Sequence, residues 1–243
     1  MRNIITVLFF IFYFTTHAQI SECEKLNEAI IQGNQTEFKR ILSKNIDVNC
    51  STKYGGVPLG TACAYGNKEF VKLLLQKKSN PNIFQFYNGK SLGTPLFDAL
   101  SICSQQLEPK LIDPVKIKLT KKGTKKEECN KKIKNDIAKI LIENGADVLA
   151  INEDNTTTLM MASMYGRCKI LTLLLNKGVN INARNNYGNT ALIYAANNND
   201  YTSVNILILA GADVLIKNNE GKTALDIANE NKFEKIKKLL SSK

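Results

Sequence analysis

Three stretches of this chain align without gaps. NEDNTTTLMMASMYGRCKILTLLLNKGVNINAR covers 152–184, NNYGNTALIYAANNNDYTSVNILILAGADVLIK covers 185–217, and NNEGKTALDIANENKFEKIKKLL covers 218–240. Leu159, Leu192 and Leu225 are spaced by 33 residues, as are Ala162, Ala195 and Ala228; Gly145, Gly178 and Gly211 keep the same period. Upstream, residues 53–84 carry the pattern again, and Leu42 and Leu75 are also 33 apart. A fixed period of this length confines the chain to architectures built from one small unit, each unit burying its apolar face against the next.

Each unit holds two short segments whose apolar residues recur at i, i+3 and i+4, the spacing of one helical face. A tight turn such as Tyr65-Gly66-Asn67 separates them. The glycine of Asn144-Gly145-Ala146 falls where a helix C′ residue needs positive φ. An Asn- and Asp-rich stretch containing Gly188 or Gly221 then makes a further turn. The unit is therefore turn, helix, turn, helix.

At the start of the first helix the motif reads VPLGTA (57–62), TPLFDA (94–99), TTLMMA (157–162), TALIYA (190–195) and TALDIA (223–228). With the 33-residue period this resembles the ankyrin repeat, whose pattern is a β-turn and two helices around T-P-L-H-x-A. The resemblance implies an all-α fold, an ankyrin-repeat solenoid of stacked helix-turn-helix units with β-turn loops. It covers residues 19–243, in units at about 22–52, 53–86, 87–150, 151–184, 185–217 and 218–243. Gly60, Phe97, Met160, Ile193 and Asp226 stand where the family has histidine, so a Thr–His hydrogen bond typical of its loops is missing from every unit.

The third unit is too long. Thr94 and Thr157 are 63 residues apart, and the surplus is a Lys-rich insertion at 104–133. The stripe Leu96, Leu100, Cys103, Leu107 predicts that the first helix continues past the usual turn and stops before Pro109. Ile117 and Leu119 alternate with lysines in the manner of a short strand edge. Thr124 to Glu127 is a T-x-x-E capping box, and Cys129, Ile133, Ile137 and Leu141 follow it at i, i+4 spacing, which predicts one helix over about 125–143. The third unit is thus expected to be a taller hairpin than its neighbours.

The charge is concentrated in that insertion. The chain carries a formal +11, and residues 110–134 contribute ten lysines against Asp113, Glu127 and Glu128. Lys116, Lys118, Lys121, Lys122, Lys125, Lys126, Lys131 and Lys132 form the candidate basic patch. Such a patch attracts polyanions or an acidic partner, and a merely solvated lysine face is the alternative. It contains no arginine and no aromatic residue, which disfavours base readout and single-strand stacking, and so nucleic acid.

Residues 1–18 read as a secretory signal peptide: Arg2, an apolar run from Ile4 to Phe14, and small residues at Thr16 and Ala18. The run is shorter than a membrane-spanning helix; a signal anchor or a buried core helix are the competing readings. Cleavage after Ala18 would make the protein exported, periplasmic or secreted, with no transmembrane segment. It would also remove His17, the single histidine, and with it Ser-His-Asp and Cys-His catalysis and every histidine-dependent metal site. No phosphate-binding loop, dinucleotide-binding glycines or nucleophile elbow is present. No catalytic residue, metal or cofactor is expected. Asp147 and Asp213 recur inside Gly-Ala-Asp-Val, which makes them turn residues.

In an oxidising compartment the six cysteines can pair. Cys103 and Cys129, on facing stripes of the long hairpin, are the first candidates for a disulfide, and Cys23 with Cys50 the second; Cys63 occupies an inner core position.

The resemblance also implies a working surface, the concave face of loop tips and first helices, and a protein partner held by a monomeric, non-catalytic scaffold. Carried over by motif, Tyr54 and Tyr187 share a loop register and Tyr65 and Tyr165 a first-helix register. Asp154, Met164 and Arg184 lie beside them, with Asn186, Asn189, Asn197 and Asn198. Tyr, Met and Arg are enriched at interfaces; packing between units is the competing role for Tyr65 and Tyr165.

Overall fold

In the last three motifs the threonine caps the first helix through its side chain. Thr157 accepts from Met160 N at 3.2 Å, Thr190 from Ile193 N at 3.3 Å and Thr223 from Asp226 N at 3.2 Å. The Asp226 carboxylate accepts in return from Thr223 N at 2.9 Å, closing a capping box. Elsewhere Pro58 and Pro95 occupy the first helical turn, where their missing N–H costs nothing. The second helices are started by acceptors too, Asn34, Asn67 and Asp200. Gly145, Gly178 and Gly211 end helices at φ of +86°, +75° and +89°, as their shared period predicts.

These signals produce six helical hairpins. The structure, a computed structural model, describes residues 22–87, 90–101 and 125–242, without the side chains of 87, 90, 92 and 125–130. Its helices are α1 (22–32), α2 (Gln35–Leu42), α3 (Pro58–Ala64), α4 (Lys68–Gln76), α5 (Pro95–Leu100) and α6 (Lys125–Glu143). They continue with α7 (Thr158–Met164), α8 (Cys168–Leu175), α9 (Ala191–Asn197), α10 (Tyr201–Leu209), α11 (Ala224–Glu230) and α12 (Glu234–Ser241). The first helices α3, α5, α7, α9 and α11 pack in one row and the second helices α4, α6, α8, α10 and α12 in another. Between the rows runs one core from Leu26 to Leu240, filled by the motif's Leu and Ala positions and the apolar stripe of each second helix. No helix among the described residues is long and apolar enough to cross a membrane.

One segment is not helical. Strands β1 (Gln85–Tyr87) and β2 (Lys90–Gly93) pair antiparallel, Tyr87 opposite Lys90, in place of the loop tip found in other units.

The helix starting near residue 125 is present as α6, a single run to Glu143. The first helix of this unit is shorter than its stripe predicts: α5 ends at Leu100 and Ser101 is already extended (ψ 176°), while Cys103 and Leu107 lie outside the described residues. The carbonyls at this helix end are bonded from elsewhere in the fold. Asp98 O accepts from Lys134 Nζ at 2.6 Å and from Ser101 Oγ at 2.9 Å. Arg167 takes Leu100 O at 3.2 Å and Ser101 O at 2.7 Å. Side-chain donors from α6 and from the next hairpin thus satisfy carbonyls at the end of α5. Ile117, Leu119 and Thr124 lie outside the described residues, as does the leader.

Cys23 and Cys50 form a disulfide that closes the first hairpin on itself. Cys103 and the side chain of Cys129 lie outside the described residues. Cys63 is fully buried, and burial pushes its thiol well above the ordinary range, which leaves it a packing residue rather than a nucleophile.

Candidate protein-interaction face

The loop tips are held in a row by main-chain bonds from one unit to the next. Phe86 N donates to Gly55 O at 3.3 Å, Asn186 N to Asp154 O at 2.9 Å, and Asn219 N to Tyr187 O at 3.0 Å. The approach at Gly55 is so close that a Cβ there would lie 2.2 Å from Phe86 O, which only glycine allows.

At the base of each tip an asparagine side chain folds the turn. Asn152, Asn185 and Asn218, spaced by 33, each accept two main-chain N–H groups two and four residues on, at 2.9–3.1 Å. Asn185, 6% exposed, also donates to Thr156 Oγ1 at 3.2 Å and to Tyr194 Oη at 2.8 Å. This ladder does the work of the Thr–His bond that the chain lacks. Asn185→Ala should therefore cost about 1–3 kcal/mol, because it strands buried donors and acceptors; urea unfolding followed by circular dichroism measures it. A second ladder joins the turns behind the second helices, through Asn49 Oδ1 to Asn80 N (2.7 Å), Asn82 Oδ1 to Asp147 N (2.7 Å) and Asn182 Oδ1 to Asp213 N (2.9 Å). Asp147 and Asp213 each accept from their own i+2 amide at 2.8 Å, the geometry of turn residues.

The ladders sort the expected face residues into two groups. Arg184 donates to Gly188 O at 3.3 Å and Lys217 O at 3.1 Å. Asn186 accepts from Asn155 Nδ2 at 2.7 Å, and Asn189 Oδ1 accepts from Asn218 Nδ2 at 3.1 Å. Their polar groups are engaged within the fold. Tyr54 and Tyr187, 62% and 56% exposed, point outward from the tips, as does Asp154. Lys53 Nζ stands 5.0 Å from the Tyr54 ring centroid. Tyr65 and Tyr165 cap the ends of α3 and α7 and are half-buried; burial raises the Tyr165 hydroxyl above its usual range. Met164, the last residue of α7, and Asn198 are half-buried, while Asn197 is exposed.

Phe84 and Phe86, exposed beside Tyr54, escape the sequence reading. The signal is Asn88-Gly89, the dipeptide preferred in two-residue hairpin turns, flanked by an alternating F-Q-F-Y run.

Of the basic patch, Lys131 and Lys132 are exposed on α6, and Lys131 Nζ leans on the turn at Gly166. Lys116, Lys118, Lys121 and Lys122 lie outside the described residues; Lys125 and Lys126 belong to the first turn of α6.

Behind the face, Asp98 Oδ2 accepts from Gln85 Nε2, whose side chain fills the space over Gly60. Enclosure among α3, α6 and β1 pushes the Asp98 carboxyl up to about 7, although the Lys134 ammonium and the Gln85 amide pull the other way.

Stacked helical hairpins with tips bonded into a row define a repeat solenoid, a class whose extended surfaces serve binding. Residues 26–101 match the family described as ankyrin repeats (many copies), and residues 129–218 the family described as ankyrin repeats (3 copies). The chain belongs to the ankyrin-repeat family. No curated protein matches it. It is similar to a chain in the solved complex of the Bd0816 predatory endopeptidase from Bdellovibrio bacteriovorus with immunity protein Bd3460. That likeness has 31% identity over 90% of this chain and 97% of that one, with a TM-score of 0.68.

Proposed function

We propose that this chain is an exported, monomeric and non-catalytic scaffold that binds a partner protein along its loop tips and first helices. The observation that carries the reading is the division of labour at the tips. The polar side chains there are spent on the ladders, while Tyr54, Phe86 and Tyr187 are left outward on the same edge. Exposed aromatics held on a rigid frame are what interface hot spots are made of. The Cys23–Cys50 disulfide supports passage through an oxidising compartment, in line with the secretory character of residues 1–18. The likeness to a chain in a complex of an endopeptidase with an immunity protein supports a protein partner. The absence of histidine after residue 17 supports a binding rather than a catalytic part.

The test is capture of partners from the native compartment by the chain and by Tyr54→Ala/Tyr187→Ala. Both tyrosines are surface residues, so stability should change by no more than about 0.5 kcal/mol. Partner affinity should fall tenfold or more, about 1.4 kcal/mol. Equal capture by both proteins would refute the tip face. A second reading, binding of a polyanion or an anionic surface through the insertion, is favoured by the nine lysines of residues 104–133. It predicts that charge reversal of Lys131 and Lys132 weakens binding and that added salt does the same.

A further inference from the structure

In the second and fifth hairpins the second helix is started by an acceptor, Asn67 or Asp200. The corresponding residues in the third and fourth hairpins are Lys134 and Arg167, themselves 33 apart. Neither side chain can accept a hydrogen bond; Lys134 lies inside α6, which starts earlier, but Arg167 is a cation at the N-terminus of α8, where it opposes the helix dipole. α8 accordingly begins at Arg167 with no side-chain cap. Both side chains are nonetheless withdrawn from water, Lys134 to 1% and Arg167 to 4% exposure. Arg167, which breaks the local capping rule and is then buried, is held there by something else.

What holds Arg167 is the root of the insertion. Its guanidinium donates to Leu100 O at 3.2 Å, Ser101 O at 2.7 Å and Lys131 O at 3.3 Å. Leu100 and Ser101 precede residues 102–124, and Lys131 lies on α6, to which those residues lead. One planar fork from the next hairpin thus bonds the main chain on both sides of the insertion. Lys134 adds a fourth bond, to Asp98 O at 2.6 Å. A lysine ammonium at position 167 is a point donor and cannot span the same three carbonyls.

We propose that Arg167 is a positioning residue, a clasp that fixes both roots of the Lys-rich insertion against the fourth hairpin and so sets where Lys131 and Lys132 stand relative to Tyr165. The clasp is independent of what the tip face binds. Arg167→Asn separates it from a general packing role, because asparagine restores the acceptor found at Asn67. Hydrogen exchange of the purified chain gives the readout. In Arg167→Asn, amides of residues 131–136 should exchange at least about tenfold faster, since charge-assisted bonds are lost locally. Those of α9 to α12 should keep their wild-type rates. Arg167→Lys should fall between the two proteins. Unchanged exchange at 131–136 in folded Arg167→Asn overturns the clasp, and so does a uniform acceleration along the whole chain. If the asparagine variant does not fold, the same two criteria apply to Arg167→Lys.

Discussion

Phe70→Ala should lower the free energy of unfolding by about 3–5 kcal/mol. Phe70 on α4 and Phe38 on α2 are both fully buried, with ring centroids 4.0 Å apart and planes 14° from parallel. This stack joins the outer helices of the first two hairpins. Truncation removes a large buried surface and leaves a void that short, capped helices cannot collapse to fill. In a linear array each hairpin touches only its neighbours, so the loss is concentrated at one joint. The first hairpin should separate at lower urea than the rest, splitting a single transition in two. Circular dichroism across a urea series, with hydrogen exchange at α1 and α2, detects both effects. A loss under about 1 kcal/mol would show that the ring pair is peripheral to the joint.

The second large effect is a stability profile that falls as pH rises. Asp98 has a folded-state pKa of about 7 against an ordinary value of 3.8. Its pKa is raised on folding, so the folded state binds the extra proton. Its contribution is fully present below about 3.8 and is lost as pH climbs through about 7. A shift of this size corresponds to about 4 kcal/mol, a ceiling because Asp98 keeps some exposure. After residue 17 the chain has no histidine to titrate in the same window. Glu22, Asp136 and Asp226 all have carboxyls lowered below the usual value, so their effects lie in acid. The wild-type urea midpoint should therefore drop between pH 5 and pH 8, and Asp98→Asn should flatten that slope. A wild-type midpoint constant across this range would exclude a buried proton-binding role for Asp98.

Much of the fold is legible in the sequence because its determinants are local and repeated. Thr157, Thr190 and Thr223 cap helices where the motif puts them, and the glycines at 145, 178 and 211 end them. The stripe of Ile133, Ile137 and Leu141 falls on α6, whose range agrees with the one it predicts. What escapes is long-range. At the end of α5, Ser101 O accepts from Arg167, 66 residues further on, and a hydrophobic stripe carries no record of such a partner. The face is legible only in part. The period identifies Tyr54 and Tyr187, but no pattern says that Arg184, Asn186 and Asn189 spend their polar groups on the neighbouring unit. The pairing of Cys23 with Cys50 likewise follows from how α1 and α2 fold back, a distance that cysteine spacing does not encode.

That pairing gives the stack a direction. A row of hairpins frays from whichever end opens most easily, and here the two ends are unlike. The amino-terminal hairpin is a covalent ring from Cys23 to Cys50 and cannot be drawn out as a strand. α12 is seated by side chains such as Phe233, Ile236 and Leu240, and no disulfide among the described residues holds it. Opening of the first hairpin therefore releases a closed loop of chain, 27 residues from Cys23 to Cys50, whereas opening of α12 releases an open one.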